Sequence, residues 1–102
     1  MTLKELKTLL ETSQMPVAFN HFKTAQKLPY IVYIIADNNQ LAADNVVYHS
    51  DPVIQVELYT VRKETDTEAT VESLIGPLFF YTKEEGYLPD EQMYLVTYRF
   101  TL

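Results

Sequence analysis

Residues Pro52–Ile75, PVIQVELYTVRKETDTEATVESLI, decide the fold, because two periodicities meet within them. Ile54, Val56 and Leu58 alternate with Gln55, Glu57 and Tyr59, the period of two that puts apolar side chains on one strand face and polar ones on the other. Beyond Thr65 the spacing changes. Val71, Leu74, Ile75 and Leu78 follow the i, i+3, i+4, i+7 rule of an amphipathic helix. Thr65 with Glu68 is a capping-box pair, and Glu64, Asp66 and Glu68 suit the positive end of the helix dipole. Gly76-Pro77 ends or kinks the helix, since proline lacks the N–H and clashes with the preceding turn. Whether Leu78 to Tyr81 adds a further helical turn is left open. A short polar corner lets strand and helix pack face to face, Ile54, Val56 and Leu58 against Val71, Leu74 and Ile75.

Working outward, Asn45–His49 is expected as a separate strand, joined by a tight Ser50-Asp51-Pro52 connection. Before it, Pro29 opens the strand PYIVYIIA, where its missing N–H does least harm. Tyr30, Val32 and Ile34 lie on one face and Ile31, Tyr33 and Ile35 on the other. Both faces are apolar, so this strand either sits between two layers or lies in a subunit interface. Asp37 to Asp44, DNNQLAAD, reads as the loop of an antiparallel hairpin. At the N-terminus, Thr2 and Glu5 form a capping box, and Leu3, Leu6 and Leu10 share a face of a helix from about Thr2 to Thr12, stopped by Pro16. Val17 to Phe19 is a short strand and Asn20 to Leu28 a polar loop. Glu84 to Glu91 mixes an extended piece with turns. A last strand sets Tyr94, Val96, Tyr98, Phe100 and Leu102 on one face. The expected class is α+β: one domain over residues 1–102, a mixed, mainly antiparallel sheet with two helices packed on one face.

The composition agrees. The chain has 102 residues, 47% hydrophobic and 22% charged, proportions that suit a single packed core. It has no cysteine, which excludes disulfides and thiolate metal sites. The N-terminal segment carries charges through its apolar positions and reads as a helix, not a leader, and no run approaches the roughly 18–20 apolar residues of a membrane span. The net charge of −6 disfavours tight binding to nucleic acid, which needs clustered lysine and arginine.

Few residues suggest chemistry. His21 and His49 lie in different elements without ligand spacing, so zinc is not expected. Glu68 and Glu72 are one helical turn apart and read as a solvated helix face; Glu84-Glu85 and Asp90-Glu91 read as turns. Glu57, in mid-strand, reads as the cross-strand partner of a lysine or arginine. The loop DNNQLAAD lacks the glycine and terminal glutamate of a calcium loop. With two glycines there is no phosphate cradle, and no serine sits in a nucleophile elbow. No cofactor or metal is expected, and catalysis is disfavoured. Aromatic residues stand out instead: eight tyrosines and five phenylalanines, many on strands, where a tyrosine can bury a ring in an interface and keep a polar tip.

The run Met15-Pro16-Val17-Ala18-Phe19, then His21-Phe22, Pro29-Tyr30-Ile31-Val32-Tyr33, Gln55-Val56-Glu57-Leu58-Tyr59-Thr60 and Tyr94-Leu95-Val96-Thr97-Tyr98-Arg99-Phe100, resembles the small tail proteins of Gram-positive prophages. These stand near the tail terminator and head–tail joining proteins of long-tailed phages. The resemblance spans nearly the whole chain and rests on strand and loop order, not on an invariant motif. It implies a non-enzymatic virion protein that assembles as a ring, a hexamer, at the head-proximal end of the tail. Its partners would be itself, the tail tube protein and the head–tail connector, with DNA passing through an acidic lumen without being specifically bound. Within that frame Ile31, Tyr33 and Ile35 are expected to form the subunit seam. Gln55, Glu57 and Tyr59 are expected as a surface that a neighbour reads, and the loop with Asp37, Asn38, Asn39, Gln40 and Asp44 to face tube or lumen. Two other readings compete: a small regulatory or binding module acting on a host protein, and a small enzyme using a buried Glu57.

Overall fold

The computed structural model describes residues 1–43 and 46–102, and for residues 37–43 and 46–51 the backbone alone. In chain order the elements are α1 (Leu3–Glu11), β1 (Val17–Phe19), β2 (Tyr30–Ala43), β3 (Val46–Thr60), α2 (Thr65–Ile75), β4 (Thr82–Leu88) and β5 (Met93–Thr101). The strands form one mixed sheet in the order β1-β2-β3-β5-β4, with β1 parallel to β2 and every other pair antiparallel. The chain is an α+β fold.

Strand register sorts the side chains by face. Ile31 pairs with Leu58 and Tyr33 with Val56, while Ile54, Val56 and Leu58 pair in turn with Phe100, Tyr98 and Val96. All of these are buried, and they share one core cluster with Leu6 and Leu10 of α1 and Val71 and Ile75 of α2. We call this the inner face. At α1, Thr2 and Glu5 make the expected reciprocal capping box.

Several expectations are corrected. Asp37 to Gln40 do not form a loop: they continue β2, opposite Val53, Pro52, Asp51 and Ser50, after a bulge between Ile35 and Asp37. Asp44 lies outside the described residues. The expected break at Ser50-Asp51-Pro52 is likewise absent, and β3 is one strand. Pro52 sits at the end of the β3–β5 ladder, which begins at Val53; Leu102 N–H donates to the Pro52 carbonyl at 3.0 Å, and the missing N–H falls where β5 has already ended. Beyond that point β2 and β3 run on as a two-stranded arm.

At α2, Thr65 is not the cap. Glu64 occupies that position without a side-chain cap, and Glu68, the other half of the expected box, is turned toward two lysines instead. The helix ends at Gly76, where an added Cβ would lie 2.7 Å from the Glu72 carbonyl oxygen. Leu78, expected on the core stripe, is exposed; past Pro77 helical spacing no longer applies, and Phe79 stacks on Phe100 instead, at 4.5 Å between ring centroids.

Candidate assembly face

The outer face of the sheet carries the residues opposite in parity to the core: Tyr30, Val32 and Ile34 on β2, Gln55, Glu57 and Tyr59 on β3, Leu95, Thr97 and Arg99 on β5. A cleft of about 390 Å³ opens on it, and the parallel pairing of β1 with β2 explains why. Parallel neighbours need a crossover, because the chain must return from the far end of one strand to the near end of the next. Asn20, at φ 67 in the left-handed region that asparagine tolerates, turns the chain out of β1. The segment that follows returns past the outer face. Phe22 meets the Tyr30 ring edge-on at 5.3 Å, and residues 20–26 line the cleft together with Tyr30, Val32, Glu57 and Tyr59.

This return segment also answers the two-sided apolar strand. Val32 is buried even though it points outward, so part of the outer apolar side of β2 is covered by the chain's own loop. Ile31 and Tyr33, expected at a subunit seam, are buried in the core of the chain. Ile35 is exposed, at the margin of the core. The expected seam and the expected contact surface thus lie on two faces: Ile31, Tyr33 and Ile35 inward, Gln55, Glu57 and Tyr59 outward.

Gln55, Glu57 and Tyr59 form a connected string. The Tyr59 hydroxyl donates to Glu57 Oε1 at 2.9 Å, and Gln55 Nε2 donates to Glu57 Oε2 at 2.6 Å. Arg99 Nε donates to Gln55 Oε1 at 2.8 Å, which orients that amide. Glu57 was expected to pair with a cation across the strands. The residues directly opposite it are Val32 and Thr97, so the nearest arginine on β5 reaches it only through the Gln55 amide. Burial, then the hydrogen bond to Glu57 and the charge of that carboxylate, push the Tyr59 hydroxyl well above the usual phenol range. Tyr30 is raised by burial and by the same carboxylate, its ring 5.1 Å from that of Tyr59.

A second polar cluster lies at the opposite side of the sheet, and residue spacing alone did not reveal it. Lys83 and Glu85 of β4 point inward, beside Tyr98 and Val96, toward α2. Glu68 is 2% exposed, not solvated as its helix position suggested. Its Oε1 pairs with Lys63 at 2.7 Å and with Lys83 at 2.9 Å, while its buried Oε2 accepts no hydrogen bond among the described residues. Glu72 Oε2 takes Lys83 and the Tyr98 hydroxyl, each at 2.8 Å; Glu85 takes Lys63 and, at 2.7 Å, the Tyr94 hydroxyl. Burial acts to raise Glu72, but Lys83 and Tyr98 outweigh it and hold the carboxyl below its ordinary value. All its acidic and basic groups have mutual partners, which makes it a clamp between α2 and the edge strand.

Among the described residues no group of three or more potential metal ligands converges. His21 lines the outer cleft, and the side chain of His49 lies outside the described residues. Among the described residues no helix is long and apolar enough to cross a membrane. No protein-family model matches the chain, and no curated protein matches it in sequence.

Proposed function

We propose that the chain is a structural subunit of a phage tail, acting at the head-proximal end as a tail terminator or head–tail joining protein. It assembles as a ring, capping the tail tube on one side and meeting the connector on the other, with its place of action the virion tail. The phage assignment comes from the order of sequence segments described above. The observation that supports assembly is the β2–β3 arm. From Asn39–Asp51 to Ala43–Val46 its strands pair only with one another among the described residues, beyond the end of β5. A two-stranded ribbon is only marginally stable in water, and its open edges are templates for further pairing, so an arm of this kind calls for a neighbour to complete it.

The test is assembly state. Native mass spectrometry of the protein, alone and mixed with purified tail tubes, is expected to show a ring, and negative-stain images should show it at one tube end. Replacing residues 39–51 by a tight Asn-Gly turn should leave the domain folded and abolish the ring. A protein that stays monomeric under both conditions, or a shortened variant that still caps tubes, overturns the reading. Genomic position gives a cheaper check: genes for a tail tube protein and a connector are expected alongside, whereas a lysogeny or defence cluster favours the regulatory module.

A further inference from the structure

We propose that the outer-face cleft receives an arginine side chain presented by a partner protein, with Glu57 as the anion and Phe22, Tyr30 and Tyr59 as the aromatic walls. Glu57 is half-buried, and both its hydrogen-bond donors, the Gln55 amide and the Tyr59 hydroxyl, are neutral. Among the described residues no ion pair neutralises it, although every other carboxylate drawn into the protein's polar clusters has a lysine. A carboxylate offers about four acceptor positions, and one on each Glu57 oxygen is in use. One on each oxygen is left among the described residues, as many as the two N–H groups of a guanidinium fork require. The neighbouring rings suit the same group: a guanidinium is planar, weakly hydrated and stacks on aromatic faces, whereas a lysine ammonium is compact and strongly hydrated. Charge complementarity therefore selects a basic partner segment.

The chain's own cations do not take the place. Lys23 lines the cleft but forms no ion pair with Glu57, and Arg99 is engaged by Gln55. Gln55 does more than fill space: held at its oxygen by Arg99, it keeps its amide N–H on Glu57 Oε2 and so fixes the carboxylate plane. The proposal rests on reading the outer face as a protein-contact surface, but not on ring formation.

The test titrates the intact protein with acetyl-Gly-Arg-Gly-amide while backbone amide NMR signals are followed. Lysine and citrulline versions of the peptide serve as controls. Half-saturation is expected on the order of millimolar, with shifts centred on Phe22, Tyr30, Glu57 and Tyr59. Lysine should bind more weakly, and citrulline, neutral and nearly isosteric, should not bind. Glu57→Gln should weaken the arginine peptide by about tenfold or more, its unperturbed spectrum elsewhere showing an intact fold. Lys23→Ala removes a like charge from the cleft wall and should leave the arginine peptide bound at least as tightly as before. Absence of shifts at tens of millimolar, equal binding of citrulline, or indifference to Glu57→Gln overturns the proposal. So does binding that appears only after Lys23→Ala, since Lys23 would then be the natural occupant. Ring assembly does not enter this experiment, so either reading can fail while the other stands.

Discussion

Two carboxylates lie on opposite sides of one sheet, and their surroundings differ in kind. Glu68, a residue of α2 on the inner side, is almost wholly buried between the ammonium groups of Lys63 and Lys83. Glu57, on the outer side, is half-buried and held only by neutral donors. Taking a charge out of water is costly, and Glu68 offsets that cost within the chain. Glu57 has no such cation within ion-pair distance among the described residues. The first arrangement locks an edge strand to a helix; the second leaves a charge available to a partner. Substitutions that treat the two alike should therefore have unequal consequences.

The largest effect is expected from Glu68→Gln. Loss of its charge leaves Lys63 with Glu85 alone and Lys83 with Glu72 alone, around a buried amide, at a cost of about 2–3 kcal/mol. That figure sits below the usual range for breaking a buried pair because the lysines are partly exposed and can turn to solvent. Urea unfolding measures it, and a loss below about 1 kcal/mol would mean that the clamp is no stronger than a surface ion pair.

Acid should act on the same cluster. Glu72 and Glu85 are both held below the ordinary carboxylate value, Glu85 by Lys63 and the Tyr94 hydroxyl. Their folded values are depressed, so their contribution is present above the unfolded value near about 4.3 and is lost as pH falls through the folded values. The urea midpoint should therefore fall as pH is lowered below about 5, and less steeply in high salt. Lys83 and Lys63 are raised by their hydrogen bonds to glutamates. Their contribution persists below the unfolded lysine value near about 10.4 and fades only in stronger alkali. A midpoint that does not change between pH 5 and 3 would remove the clamp from the account of stability.

Tyr98→Phe should cost about 1 kcal/mol, since it removes one hydrogen bond to a charged group that keeps Lys83 as a partner. The ring itself, buried and edge-on to Tyr81 at 5.5 Å, is retained. Combined with Lys83→Met, the change should be non-additive, because both side chains meet the same Glu72 oxygen.

How much of this was legible depends on the range of the forces involved. Alternation in Ile54–Tyr59 and Tyr94–Leu102 reports which face meets the core, and the pairing of Val56 with Tyr98 bears that out. The Thr2–Glu5 cap is local and was readable for the same reason. Glu68 was not, because its burial is decided by Lys83, which only sheet pairing brings beneath α2. The arm was missed because Asp37, Asn38 and Asn39 have turn-favouring side chains, whereas cross-strand pairing with Asp51–Val53 overrides that preference. Of the outward string, Gln55, Glu57 and Tyr59 were visible as a polar strand face. Their cleft was not, since it depends on how the segment after Asn20 returns to β2.

The smallest effect should be that of Glu57→Gln on stability, within about 0.5 kcal/mol, since the site is partly exposed and water can replace the weakened Gln55 contact. A glutamine at this position still offers one carbonyl oxygen to the Tyr59 hydroxyl, and no buried cation is left without its counterion. The decisive quantity is the difference between the two glutamate-to-glutamine variants, measured by urea unfolding under identical conditions. Equal losses would make Glu57 a second structural lock and remove the reason to expect a partner at the outer cleft. A near-zero loss at Glu57 beside a large one at Glu68 would mean that folding does not account for the outer carboxylate, and binding is then the remaining physical reason for a half-buried charge there.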